Sequence, residues 1–481
     1  MEKTKSLKNG IILNLLRSLM GIIFPLISFP YASRILLPEG IGKVNFANSI
    51  IDYFLIIASL GITTYATREA AAIKNDKDKL SSFCKEMLII NFFSTLVSVL
   101  LFLISLIFIK NLHDYKTLLL VCSIKILFFP IGIDWLYIAK EDFFYITVRS
   151  FLFQLLSIVL LFLFVKDSSH FIRYAALGVF SNVGSNICNL INAGKIIDFR
   201  IKISNIKKHF KPIFIFFGSS CAAKIQNAID TIMLGFLAGN IEVGLYSAAI
   251  KLVKISSTLL TTVSATLLPR SSFYVTNKAE NEYNLLINKA INITVFFAVP
   301  LSFGLFFLTD ELIKVFCGEE YLDAINTMKI IIPSIIFAAI GSLIDTLIFI
   351  PQKKEKLTLI FQIINCFLNI FLNFLLISHY GAFGAALSTM IVEFINMVLK
   401  ISFSIKFFIN KNILFSFFKT IFVSCTMYLM LHFICIRITN SFIKILFSTI
   451  IGSLIYAGGT ILLRHTVALL LINTINRTKK G

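Results

Sequence analysis

Apolar runs of about twenty residues, separated by short polar or basic stretches, recur from one end of this chain to the other. A membrane-crossing helix needs about 20 mostly apolar residues, and about fourteen runs meet that length. They lie near 10–33, 41–65, 87–109, 117–138, 143–165, 171–194, 212–237, 243–268, 286–309, 330–350, 357–377, 382–405, 413–435 and 442–463. No connecting stretch is long enough to fold as a separate domain. The pattern predicts an all-α polytopic membrane protein.

Several runs carry polar residues at helical spacing. In 243–268, Ser247, Lys251, Lys254, Thr258 and Thr261 fall on one narrow arc of a helix whose remaining faces are mostly Leu, Val, Ile and Ala. Such an arc cannot face acyl chains. Charged groups inside spans face a bundle interior or a watery space, and mark a substrate or ion path by default. Similar stripes appear at Asn45, Asn48, Asp52 and Ser59, and at Asn182, Ser185, Asn186, Asn189 and Asn192. Two more are Gln362, Asn365, Asn369 and Asn373, and Thr389, Glu393, Asn396 and Lys400. The last two runs are nearly free of buried charge and read as peripheral.

Composition sharpens the class. The chain has 481 residues, 57% of them hydrophobic and 15% charged, with mean hydropathy +0.87; a soluble domain carries about 25% charged residues. The formal net charge of +20 does not point to nucleic acid, because no soluble face gathers the basic residues. Lys and Arg instead cluster in connections on the side of the N-terminus, above all at 195–211 and 68–85. The positive-inside rule then predicts that both termini are cytoplasmic. Eight scattered Cys, with no C-x-x-C pair, read as small core residues. The N-terminal run has a basic start, but it is too long for a signal peptide and contains Arg17, so it reads as a retained first span.

An internal repeat organises the spans. Gly42 and Ala47 in 34–47 match Gly244 and Ala249 in 232–249. Ile133-Asp134 matches Ile344-Asp345, and Ala175-Ala176-Leu177 with Asn186 matches Ala385-Ala386-Leu387 with Asn396. The offsets, 202, 211 and 210 residues, follow from these positions. Six spans per repeat make the halves parallel, a design associated with alternating access around a central site. The expected divisions are 1–207, 208–411, and 412–481 for the two added spans and a basic tail.

The stretches Phe24-Pro-Leu-Ile-Ser-Phe-Pro-Tyr-Ala-Ser-Arg-Ile-Leu-Leu-Pro-Glu-Gly-Ile-Gly, Thr67-Arg-Glu-Ala, Ile229-Asp-Thr-Ile-Met-Leu-Gly and Tyr380-Gly-Ala-Phe-Gly-Ala-Ala-Leu-Ser-Thr, with Val243-Gly-Leu-Tyr-Ser-Ala-Ala-Ile-Lys and Glu393, resemble the polysaccharide transporter family of O-antigen flippases. That family sits within the multidrug/oligosaccharidyl-lipid/polysaccharide exporter superfamily, and the resemblance covers roughly 5–410. It implies two six-helix lobes in a V around a polar cavity. It also implies a bacterial inner-membrane flippase that carries an undecaprenyl-diphosphate-linked oligosaccharide, such as an O-antigen unit of lipopolysaccharide, to the outer leaflet. Lys224 departs from the pattern, since other members often have an uncharged residue there.

Arg17, Lys125, Arg149, Lys224, Lys251 and Lys254 are the candidate lining of a cationic cavity for the diphosphate. The alternative is structural pairing with Asp52, Asp134, Asp230, Asp345 or Glu393, since buried charges are normally paired; Arg149 could also snorkel to the interface. Asp52 and Glu393 are candidate sites for a coupling H+ or Na+. No metal ligand set, catalytic residue or other cofactor is expected. The expected partners are the lipid-linked oligosaccharide, membrane lipids and the polysaccharide polymerase machinery.

Competing readings are a lipid II flippase, a cation-coupled drug exporter, and a membrane glycan polymerase. A drug exporter for organic cations calls for acidic, aromatic walls, whereas the charges within these spans are mainly basic. A polymerase calls for a substrate-handling loop or metal-binding acids, and neither a nucleotide-phosphate loop nor a His/Cys cluster is found.

Overall fold

A computed structural model describes residues 7–198, 200, 205–408, 411–470 and 472, apart from the side chains of 7–19, 22, 215, 219, 220, 222–227, 263, 411 and 412. These residues form helices and short connections, with no β-strand among them. In chain order the helices are α1 (Leu7–Ser59), α2 (Ile62–Ala72), α3 (Lys77–Phe108), α4 (Lys116–Leu127), α5 (Asp134–Ala139), α6 (Phe143–Phe164), α7 (Phe171–Ala193) and α8 (Lys207–Leu237). They continue with α9 (Asn240–Thr276), α10 (Glu280–Phe316), α11 (Ala324–Ile331), α12 (Ser334–Ile344), α13 (Glu355–Phe403), α14 (Lys411–Cys435) and α15 (Ser441–Leu462).

Among the described residues nine helices are long and apolar enough to cross a membrane. Two of them bend. α1 turns at Leu37, where φ is 60°; Pro38 disfavours the α region for its predecessor, and the positive φ is a strained value for leucine. α13 turns at Gly381, where φ is 52°, a conformation glycine tolerates without Cβ strain. Those bends fall where the sequence separates its first from its second span and its eleventh from its twelfth. The other expected spans coincide with α4–α5, α7 and α8. Pro130 and Gly132 split the first of these into a 12-residue and a 6-residue piece, and polar residues interrupt the others. The chain is therefore an all-α, multi-pass membrane protein.

The chain divides into two compact units, Met1–Gly244 and Leu245–Gly481. The sequence repeat places its boundary at 207/208, one helix earlier, because α8 packs against α1 and α2 and so lies with the first unit. Next to it in the chain, the first residues of α9 make a reciprocal close contact with α1. A Cβ on Gly42 would lie 1.8 Å from the carbonyl oxygen of Asn240, and a Cβ on Gly244 would lie 2.0 Å from that of Pro38. Gly42 and Gly244 are equivalent in the repeat, and so are Pro38 and Asn240. Residue i therefore meets j while j's counterpart meets i's. Tyr115 donates to Asn240 Oδ1 (2.8 Å) beside it.

In the first unit, the side that carries the basic 195–211 connection is filled by an aromatic and aliphatic core including Tyr65, Phe83, Trp135, Tyr137, Ile146 and Ile213. A buried polar chain ties α2, α3 and α8 there: Tyr65 Oη meets His209 Nδ1 at 2.6 Å, and His209 Nε2 meets Glu86 Oε2 at 2.7 Å. In the second unit, α10, α12 and α13 share one core. The expected peripheral pair, α14 and α15, packs on α10 through a smaller core of Phe296, Val423, Met427, Leu431 and Tyr456.

Candidate functional site

α5 opens with Asp134, where the unpaired N–H groups of a helix start favour an acid. In the second turn of α6, Arg149 Nη1 donates to Asp134 Oδ1 at 3.0 Å and also to Asn189 Oδ1 on α7. Asn189 Nδ2 closes the triangle on Asp134 Oδ1 at 2.7 Å. Arg149 is 7% exposed, so it does not snorkel; it is held by an acid and an amide. Its Nη1 is thus structurally paired, while the residue also lines the adjoining cavity.

Above that triangle the first unit contains a cavity of about 480 Å³. α6 supplies Arg149, Ser150, Gln154 and Ser157, and α7 supplies Tyr174, Ser181, Asn182, Ser185 and Asn186. Phe24, Pro25, Asn45 and Asn48 come from α1. Thus two of the stripes read from the sequence, those of α1 and α7, turn toward one interior space. Lys125 donates to Asn48 Oδ1 at 2.7 Å and so sits behind this wall, bound to one of its amides. The sequence reading passed over Gln154, Ser157 and Tyr174. Ser150, Gln154 and Ser157 fall at i, i+4 and i+7 in an otherwise apolar helix, a signal that was available.

In the second unit the polar arc of α9 is its accessible face: Ser247, Lys251 and Thr261 are half-buried and Lys254 and Thr258 exposed, while Val253, Ser256 and Leu260 are buried. The arc is real, and its two lysines share it. The amide stripe of α13 is packed inside, with Asn365, Asn369 and Asn373 all buried and Asn373 Nδ2 donating to Asn369 Oδ1 at 3.0 Å. Lys400 Nζ donates to Asp345 Oδ2 at 2.6 Å, a second case of structural pairing. Asp52 is exposed, Glu393 half-buried and Asp230 buried, and each has a partner. The side chains of Arg17 and Lys224 lie outside the described residues.

The sequence family described as polysaccharide biosynthesis protein matches residues 7–275, and the family described as MatE matches 216–375. A Shigella dysenteriae protein named for O-antigen transport is 26% identical over 401 residues, 80% of this chain and 97% of that protein. The capsular polysaccharide biosynthesis protein CapF of Staphylococcus aureus is 25% identical over 380 residues, 75% of this chain and 90% of its own length. Among solved structures, the lipid II flippase MurJ in an inward closed conformation has the same fold, with a TM-score of 0.77 over 95% of this chain and all of that one, at 19% identity. The match over 7–275 takes in the first unit from residue 7 onward, its polar cavity and the arc of α9, and the chain belongs to the polysaccharide biosynthesis protein family.

Proposed function

We propose that this protein is a flippase that moves an undecaprenyl-diphosphate-linked oligosaccharide, an O-antigen unit or a similar surface polysaccharide repeat, from the cytoplasmic to the outer leaflet of a bacterial inner membrane. Alternating access between the repeats would carry it, and both termini would be cytoplasmic. Relatives named for O-antigen transport and capsular polysaccharide biosynthesis support this reading. The observation that carries it is the α9 arc: half-buried Lys251 and exposed Lys254 stand on one polar strip of a membrane-length helix. Lysines on such a strip suit a diphosphate, which otherwise could not leave water. Lys224, and Arg17 on the first span, belong to the same proposal, whereas Arg149 and Lys125 act through the wall they hold.

The test is export in a strain deleted for this gene. The wild-type chain restores surface polysaccharide; Lys251→Ala and Lys254→Ala insert normally yet leave lipid-linked oligosaccharide inside. Wild-type glycan assembly in the triple Ala variant of Lys224, Lys251 and Lys254 would remove the cationic role. A new glycosidic bond made by the purified protein would replace transport by polymerisation. Asp52 and Glu393 are the carboxylates proposed for a coupling H+ or Na+. Export that persists after both gradients are collapsed would exclude that coupling.

The MatE match over 216–375 favours a second reading, a cation-coupled exporter of organic cations. The lysines of α9 oppose it, because they would repel such a cargo.

A further inference from the structure

Resting on the flippase reading, we infer that the cavity inside the first unit is a saccharide subsite. It takes uncharged, hydroxyl-rich sugar rings of the glycan and leaves the diphosphate to the lysines of α9. Its polar lining is made of side-chain amides and hydroxyls, notably Asn45, Asn48, Gln154, Asn182 and Ser181. Each of these groups both donates and accepts, which matches a sugar hydroxyl and gives an anion no special advantage. The cavity's two charges cancel each other: Arg149 is spent on Asp134 and Asn189. A phosphate entering here would meet Asp134 beside Arg149 and would lose its hydration without a net counter-charge. A neutral ring loses far less.

A second observation points to a polar ligand. Among the described residues, Arg149 Nε and Gln154 Oε1 are buried without a hydrogen-bond partner, and both residues line this cavity. Buried polar atoms are almost always satisfied; Arg149 Nε stays shielded by the pairing of its own head group, whereas Gln154 is half-buried, and a turn of its side chain brings Oε1 to a hydroxyl donor in the cavity. The dimensions agree. From Arg149 to Leu161 the α6 wall runs about 18 Å at 1.5 Å per residue, and the volume of about 480 Å³ suits a short run of sugar rings rather than a complete repeat unit. Phe24 and Tyr174 add ring faces on which sugar C–H groups can pack.

The test uses the purified full-length chain in detergent with N,N′-diacetylchitobiose, cellobiose and lactose as neutral probes and inorganic pyrophosphate as the anionic one. Two readouts serve, thermal stability and the emission of Trp135, the chain's single tryptophan, which follows Asp134. At least one neutral disaccharide is expected to raise Tm and change Trp135 emission. Gln154→Leu is expected to weaken that binding about tenfold, the worth of one hydrogen bond. Pyrophosphate is expected not to compete. Should Gln154→Leu fail to fold, Ser181→Ala gives the same comparison with almost no change in volume. The subsite is overturned if none of the three disaccharides changes either readout. It is equally overturned if the variant binds like wild type or if pyrophosphate displaces the sugar. Export in the deletion strain involves no soluble saccharide, so restored export without saccharide binding sinks the subsite alone, and failed export sinks the flippase reading.

Discussion

In the first unit Asp134 receives its counter-charge from Arg149 on α6, while Asn189 on α7 adds a neutral amide. In the second unit Asp345 receives its counter-charge from Lys400 near the end of α13, and Thr358 near the start of α13 adds a neutral hydroxyl at 3.1 Å. Asp134 and Asp345 are equivalent in the repeat, and so are Asn189 and Lys400, at the same offset of 211 residues. Thr358 corresponds to position 147, one turn or less from Arg149. The cation and the neutral partner have therefore exchanged helices while the acid stayed in place. In both centres the cation is the more buried member: the side chains of Arg149 and Asp134 are 7% and 30% exposed, and those of Lys400 and Asp345 are 5% and 19%. What the fold requires at this position is a compensated pair, and it is indifferent to which helix brings the positive charge.

The largest effect should come from breaking either pair. Asp134→Ala and Asp345→Ala each strand a deeply buried cation, at a cost of about 3–5 kcal/mol. Denaturant unfolding in detergent would measure both losses, and a loss below about 1 kcal/mol in either would mean that its cation finds water or another acid.

The repeat itself can be probed where its halves touch. Gly42→Ala and Gly244→Ala should each cost about 1–3 kcal/mol, because the new methyl meets backbone that cannot swing aside. Their reciprocal geometry predicts similar losses, within about 1 kcal/mol of each other. A harmless Gly42→Ala beside a damaging Gly244→Ala would show that only one of the two contacts is close in solution.

Much of this comparison was legible in the chain. Pro38 and Gly381 marked the bends, the Ile-Asp dipeptides marked the equivalent acids, and the spacing of Asn182, Ser185, Asn186 and Asn189 marked the face of α7 that lines the cavity. The partner of each acid was not legible. Arg149 and Lys400 stand on different helices of their repeats, and nothing in linear spacing tells which of several buried cations reaches a given carboxylate. The place of α8 was also hidden, since a sequence repeat records ancestry whereas compactness records packing. Gln154 was legible through its spacing from Ser150 and Ser157, but which space that stripe faces is known only from its neighbours on adjacent helices.

Exchanging the wiring tests the comparison more finely. Arg149→Thr alone should be severe, for it leaves Asp134 buried without its cation. Adding Asn189→Lys moves the cation to the helix position that Lys400 holds in the second unit, beside Thr147, which already stands where the second unit has Thr358, and should return stability to within about 1–2 kcal/mol of wild type, a coupling that a double-mutant cycle would read directly. No recovery would mean that the two centres differ in more than their choice of helix.

The smallest effect separates the units by pH, through two buried histidines in different company. His209 in the first unit lies against the carboxylate of Glu86. His465, which follows α15, has neutral hydrogen-bond partners and no acid beside it among the groups that shift it: the N–H of Val467 donates to its Nδ1 at 3.2 Å, Thr420 Oγ1 lies 3.2 Å from its Nε2, and the charge of nearby Lys419 adds to the effect of burial. With Nδ1 accepting, the ring proton sits on Nε2 and points to the threonine. Burial holds the His465 pKa below its usual value of about 6.5, so the unfolded chain binds the proton more readily than the folded one. The stability from this neutral ring is therefore complete above pH about 6.5 and falls as the pH drops below it, with a slope of at most about 1.4 kcal/mol per pH unit. Protonation at Nδ1 would set an N–H against the N–H of Val467. Hydrogen exchange in α14 and α15 should thus accelerate on acidification, and His465→Gln should flatten that pH dependence; an unchanged slope in the variant would assign the acid sensitivity to another group.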